Sequence, residues 1–367
     1  MSVAMLLRRL LSGSPASVAF ALVQFATWIL APPAIAAPAP VDYKIVTASE
    51  RGTYIQIGRD LARFVAPDAD INLEVLPSAG SAENVRRLRY EPGVKLAMVQ
   101  SDVYQAFLDQ AAGGNAEAAD MIRPLRVITP LYNEEIYFVV RADSALHYVH
   151  EIRGARINTG LIGSGTALTT TTLYRLMFGE PIVEANASFL SNEEALAKLV
   201  TDKSVDVVAI IAGQPAKLLI DMKPESRQYI RLLKFDRNHA TSAAVLGTYF
   251  PATVLASNYP NLVSEDLPAL AVRAYLVTYD FNLMSTREHL VRLVRALCAD
   301  YAQLQASGHP KWREVQLSLP DLGKGWRYYG PTANEIRACM SERAARLVRP
   351  ARACSQQERV LGLCGRS

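Results

Sequence analysis

Histidine and cysteine are scarce in this chain of 367 residues, five and four respectively, and the scarcity removes several kinds of chemistry. A zinc site needs clustered thiolate or imidazole ligands at close spacing. Cys298, Cys339, Cys354 and Cys364 are confined to the last fifth of the sequence, with no close pair among them and no histidine beside one. His147 and His150, followed by Glu151, read as a solvated turn, and His239, His289 and His309 stand isolated. The nucleophile elbow needs glycine two residues either side of its serine, whereas Ser164 has Ile162 and Thr166 there. The phosphate loop G-x-x-x-x-G-K-[ST] is not found, and the dinucleotide fingerprint fails because Leu168 occupies its third glycine position. No metal, no cofactor and no enzymatic activity are expected. An excess of one charge is also missing. Thirty-nine basic residues against 35 acidic ones give +4, without a long basic tract, which argues against a nucleic-acid partner. No acidic run marks a solvated tail.

What is there begins with a distinct leader. Arg8 and Arg9 precede a nearly apolar stretch, 16–30, interrupted by Gln24; Pro32-Pro33 and Ala34-Ile35-Ala36 follow. A positive start, a short apolar core and small residues two apart have the layout of a secretory signal peptide. The apolar stretch falls short of the roughly 20 residues of a membrane span. We expect a signal peptide over 1–36, cleavage near Ala36 and a periplasmic product; an uncleaved N-terminal anchor is the alternative. Losing the two arginines would lower the net charge from +4 to +2. No cysteine marks a lipoprotein site, and no later run is long and apolar enough to span a bilayer. Four cysteines in an oxidising compartment permit disulfides in three connectivities. Cys354–Cys364 closes the shortest loop, with Cys298–Cys339 as its companion; otherwise Cys298 is a buried apolar residue.

Along the remaining chain, strand, polar turn and helix recur. Residues 43–47, 71–75 and 96–99 read as strands, and the positions of Ile57, Leu61, Phe64 and Val65, then Val85 and Leu88, as helices. Residues 125–132 and 136–140 read as two further strands. The pattern restarts with strands at 155–159 and 205–211, followed by strands at 229–235 and 272–278 and a long amphipathic helix over 286–305. Such alternation predicts parallel sheets covered by helices, with ligands beyond the carboxyl ends of the strands. Two such units predict two lobes and a cleft between them, a usual place for a small ligand.

The polar loops at those strand ends hold the candidate residues. Gly163-Ser164-Gly165-Thr166 opens a helix, where free N–H groups and the dipole suit an anion; the same residues also make an ordinary glycine turn with a capping hydroxyl. Ser81 is placed to cap the helix carrying Val85. Asp102, after Gln100 and Ser101, either accepts from a ligand amine or caps the helix starting at Val103. Asn84 reaches a ligand or rides in the first turn of its helix. Tyr54 covers a ligand or packs in the cleft wall.

Taken together these motifs resemble the TAXI family of TRAP-transporter solute receptors over about residues 43–329. The loop 47–54 followed by Gly58 is similar to the family's glycine-rich opening. Gly80-Ser81-Ala82-Glu83-Asn84 resembles G-S-x-E-N, and Gln100-Ser101-Asp102 matches Q-S-D. Leu131-Tyr132-Asn133-Glu134 and the segment 139–144 resemble the crossing between lobes. Gly163-Ser164-Gly165-Thr166 matches G-S-G-T, and Ala212-Gly213-Gln214-Pro215 matches A-G-x-P. Ala48 and Arg51 depart from the family's usual glycines. Arg51 either supplies a carboxylate contact or points to solvent.

The resemblance implies an α/β, type II periplasmic-binding-protein fold, with two lobes joined by a hinge and the ligand cleft between them. It implies a monomeric receptor for a small anionic metabolite, an amino acid such as glutamate or a dicarboxylate or 2-oxo acid, delivered to a membrane-embedded TRAP permease. Lobe one is expected over 43–135 and 276–340, lobe two over 136–275, and a cysteine-containing extension over 341–367. The hinge is expected at 136–140 and 272–278. Ligand contacts are expected from Thr53, Tyr54, Ser81, Asn84, Gln100, Ser101, Asp102, Ser164, Gly165, Thr166, Gly213, Gln214 and Pro215. The alternatives are a subunit feeding a sensor kinase and an exported enzyme on a similar fold.

Overall fold

The computed structural model describes residues 39–50, 52–348 and 356–360; the leader, Arg51, Cys354 and Cys364 lie outside the described residues. The first half begins with β1 (Val41–Val46). Helix α1 (Thr53–Asp60) follows and runs on through one wider turn to Val65, where Pro67 ends it. Next come β2 (Ile71–Leu76), α2 (Ser81–Tyr90), β3 (Val94–Gln100), α3 (Val103–Ala112) and α4 (Ala116–Ile122). Strands β2, β1 and β3 lie side by side in that order, all parallel.

The expected pair of strands at 125–140 is one continuous strand, β4 (Leu125–Arg141). Asn133, Glu134 and Glu135 make it look interrupted in sequence. The backbone stays extended there because both carboxylates find partners in the folded protein, described below. The second half repeats the first: β5 (Ile157–Asn158), α5 (Gly165–Phe178), β6 (Ala187–Ser188), α6 (Asn192–Val200) and β7 (Val207–Ala212), with β6, β5 and β7 parallel. Helix α7 (Lys217–Ile220), β8 (Ile230–Leu232) and α8 (Ser242–Val245) follow. Strand β9 (Phe250–Val254) was not expected, since Pro251 argues against a strand; it survives on one flank of β10 (Leu267–Tyr279). Helix α9 (Met284–Ser307) covers the first half, and its predicted apolar face is buried from Leu290 to Leu304. Helix α10 (Gly330–Val348) continues past residue 341, so the expected start of the extension falls inside a helix; α11 (Gln356–Val360) is short.

The strand order is β2-β1-β3-β10-β4-β7-β5-β6. Strands β4 and β10 run antiparallel to one another through the centre and join a parallel unit on either side. This is the two-lobed α/β architecture of a type II periplasmic binding protein. Side-chain alternation along these two strands supplies all the cores. Ile128 and Val127 of β4 face opposite clusters of the first half, and Phe138 and Val139 face opposite clusters of the second. Strand β10 does the same with Leu276 and Val277, then Leu270 and Ala269. Its register with β4 shifts between Arg273 and Tyr275, where the strands pass from one half to the other. Cys298 and Cys339 both border the cluster under α9, and no bridge joins these two.

Trp312 is fully buried in that cluster, and its indole N–H donates to Asp60 Oδ2 at 2.8 Å, which also accepts from the His309 backbone at 2.7 Å. Trp312→Ala leaves a large cavity and removes one of the two hydrogen bonds to Asp60 Oδ2, so we expect a loss of about 3–5 kcal/mol, read as a lower midpoint in urea unfolding.

Candidate functional site

The four polar loops lie where strand ends put them. Residues 47–54 follow β1, 101–102 follow β3, 159–166 follow β5 and 213–215 follow β7. They converge from both halves upon the middle of β4 and β10. At the centre two backbones touch. Gly80, at φ +136°, is so close to the start of α5 that a Cβ there would stand 2.7 Å from the Gly165 nitrogen. A Cβ on Gly165 would in turn collide with the Gln100 carboxamide. Glycine is required at position 80, where φ is positive and a Cβ would meet backbone, whereas at 165 a Cβ would have to displace the Gln100 side chain.

Around this contact sits a set of buried polar groups. Tyr54 OH donates to Glu134 Oε2 at 2.9 Å, with Tyr54 5% and Glu134 8% exposed. Burial pushes the Glu134 carboxyl up to about 7, against the opposing effect of hydrogen bonds from Tyr54 and Gln100 and of the Lys311 charge. The next residue, Glu135, points to the other face and accepts from the Gln214 backbone at 2.8 Å; burial raises it as well. Lys311 is buried beside both, with Glu314 as its ion-pair partner at 2.6 Å, and its side chain leaves no room for a Cβ on Gly213, 2.5 Å from its Cε.

Two expected caps are used differently. The residue flanking α2 is Gly80, not Ser81. Ser81 Oγ instead accepts from the Gln100 backbone N–H at 2.9 Å, tying α2 to the end of β3. Asp102 occupies the flanking position of α3, but its side chain caps nothing there. It is fully buried and accepts from Tyr249 OH, of the second half, at 3.1 Å. Burial lifts Asp102 to about 6, held down in part by Thr169 and Tyr249. Asn84 donates to the carbonyls of Thr47 at 2.5 Å and Met98 at 2.6 Å, so its two N–H groups are spent holding strand ends, and a ligand would find no donor there. Ser164 does cap α5, accepting from Ala167 N at 3.1 Å. Thr166 packs on Gly160, and Thr53 opens α1. Ser101 is pinned between strands: its backbone N–H donates to Arg273 O at 2.8 Å and its Oγ accepts from Arg273 N at 3.1 Å. Gln214 turns away from the centre to bond Thr253 O at 2.7 Å, and Pro215 follows it.

Sequence reading missed Glu135, Lys311, Tyr249 and Arg273, and treated Glu134 only as part of a crossing segment. The signal for the glutamates was present, since paired carboxylates inside an otherwise apolar strand need partners. Lys311 and Tyr249 carried no such signal. His150 and His239, read as a solvated turn and an isolated residue, stack at 3.7 Å with nearly parallel rings, away from this centre.

Residues 45–321 match the NMT1-like family. The chain belongs to the NMT1-like family. Among solved structures, this NMT1-like chain is similar to the periplasmic binding protein BugD, at 13% identity and TM-score 0.45, covering 83% of this chain and 95% of that one. It is similar to a TctC solute binding protein from Polaromonas, at 13% identity and TM-score 0.41, covering 84% and 99%. It is also similar to the arginine-, lysine-, histidine-binding protein ArtJ from Geobacillus stearothermophilus, at 12% identity and TM-score 0.42, covering 77% and 97%.

Asp102 and Glu134 make a testable pH signature. Both are raised in the folded protein, so between about pH 4 and 7 the folded state keeps protons that the unfolded chain has released. Stability is therefore greatest on the acid side of that window and falls as pH rises through it. We expect a thermal midpoint higher at pH 5.5 than at pH 7.5, and a flatter profile in Asp102→Asn and Glu134→Gln. Glu91 and Asp206 are lowered instead, by their hydrogen bonds and ion pairs with Arg87 and Arg156.

Proposed function

We propose that this protein is a periplasmic solute receptor, exported by its leader, that closes two lobes over a small ligand and delivers it to a TRAP-type permease as a monomer. The observation that carries this reading is the meeting of Gly80 and Gly165 above buried polar groups drawn from both halves of the chain. Contacts of this kind exist only with the halves together, so a ligand touching both favours the closed arrangement. The lobes divide where β4 and β10 cross, near residues 130–136 and 271–275, and these segments act as the hinge.

The ligand sits between the two halves, in the space bordered by Ser101, Phe250 and Arg273. Glu134 and Asp102 favour a ligand that carries an amine or hydroxyl donor, which ranks amino acids above simple dicarboxylates. The TAXI motifs quoted above support the TRAP assignment; a receptor feeding a sensor kinase would share the same cleft.

The test is thermal unfolding of ligand-stripped protein with amino acids, dicarboxylates and 2-oxo acids. A ligand that binds only the folded state stabilises it by about 2.7 kcal/mol at 100 times its dissociation constant. We expect a raised midpoint with at least one compound and loss of that shift in Gly80→Ala, whose Cβ would meet the Gly165 backbone. A midpoint unmoved by every compound would defeat the receptor reading.

A further inference from the structure

A cavity of about 500 Å³ opens between the two halves beside the glycine contact, on the flank formed by Ser101, Thr248, Phe250, Arg273, Lys324 and Trp326. We propose that Arg273 is the anion-recognising residue of this receptor and that the ligand seated against it is an aromatic carboxylate. The proposal rests on the receptor reading and deepens it by naming a ligand class and the residue that selects it.

Arg273 stands at the point where β10 shifts register against β4, and such irregularities re-aim a side chain. Its backbone is fixed at both ends by Ser101, so the position of the guanidinium base is set by the end of β3. The guanidinium lies over the Phe250 ring at 3.9 Å from the ring centre. Its side-chain hydrogen bond goes to a backbone carbonyl, Asp321 O, at 3.3 Å, and no carboxylate among the described residues forms an ion pair with it. A guanidinium offers five donors in a planar fork that matches a carboxylate in two-point contact. Most of that capacity is unused here, beside a cavity reached from both lobes.

The charge around it agrees. Lys324, exposed at the rim, adds a second cation that no carboxylate among the described residues pairs with. The nearby acid, Asp321, already accepts from the Gly323 backbone at 2.9 Å, a bond that serves its own turn. Two cations thus face one committed carboxylate.

The walls argue for a ring. Phe250 and Trp326 contribute aromatic surface from the two halves. The indole N–H of Trp326 is committed to Ser101 O at 2.7 Å, so its ring presents an apolar edge to the cavity. A guanidinium already stacked on one ring also takes a second ring on its free face. The volume lies within the range of pockets that hold compounds larger than a four- or five-carbon diacid.

The experiment is calorimetric titration of the purified protein with 4-hydroxybenzoate and phenylacetate, with L-glutamate as the small aliphatic comparison. Variants are Arg273→Ala, Arg273→Lys and Lys324→Ala, each checked by thermal unfolding. We expect at least one aryl carboxylate to bind more tightly than glutamate. We expect Arg273→Ala to weaken it at least 50-fold, Arg273→Lys to weaken it less because a point charge cannot give the two-point contact, and Lys324→Ala to cost a few-fold. Binding of glutamate but of neither aryl carboxylate would leave the receptor reading standing and overturn this one. Binding of nothing in either panel would overturn both. Equal affinity for an aryl carboxylate in the wild type and Arg273→Ala would also overturn the assignment. Should Arg273→Ala fail to fold, Arg273→Lys and Lys324→Ala decide, and unchanged affinity in both overturns it.

Discussion

Two strands belong to both halves of this molecule, and that single constraint organises the rest. Strand β4 pairs with β10 in its first part and with β7 and β8 in its last, while β10 pairs with β3 at one end and β9 at the other. Neither half can complete its sheet without them. Because side chains alternate across a sheet, the same two strands deliver apolar residues to both faces of both halves, and four clusters form around them. Two segments crossing side by side resist sliding but permit rotation about the crossing. The proposed receptor reading calls for that combination of stiffness within lobes and freedom between them.

At the crossing the strands stop being apolar. Glu134 and Glu135 interrupt β4, and Arg273 interrupts β10. Burying such groups is costly unless partners come with them. Tyr54, Gln100, Lys311 and the Gln214 backbone supply those partners for the glutamates. Asp102 finds Tyr249 on the far side of the cleft. Burial holds these carboxylates above their ordinary range. Further out, Arg175 of α5 pairs with Asp109 of α3, a contact between the same two halves made by half-buried groups.

The recurrence of strand, turn and helix was legible in sequence because apolar spacing is a local property. The positions of the polar loops followed from it, and so did Ser164 as a cap and the buried face of α9. The single strand 125–141 was not legible, since three polar residues in a row look like a break to any local rule. Ser81 and Asp102 were assigned to helix ends on spacing alone. The folded chain turned both toward partners 19 and 147 positions away, a choice no local pattern encodes.

By itself the sequence determined an α/β chain with two repeating units, glycine-rich loops at strand ends and a leader of secretory layout. It did so through periodicity and turn chemistry, which act over a few residues. Only the tertiary structure decided which groups meet in the cleft. Gly80 against Gly165, Tyr54 on Glu134, Lys311 against Gly213 and Arg273 over Phe250 each join segments far apart in the chain. The physical reason is that a buried charge or a bare backbone is tolerated only where a complementary group arrives from elsewhere, and the crossing of two shared strands brings those groups to one place.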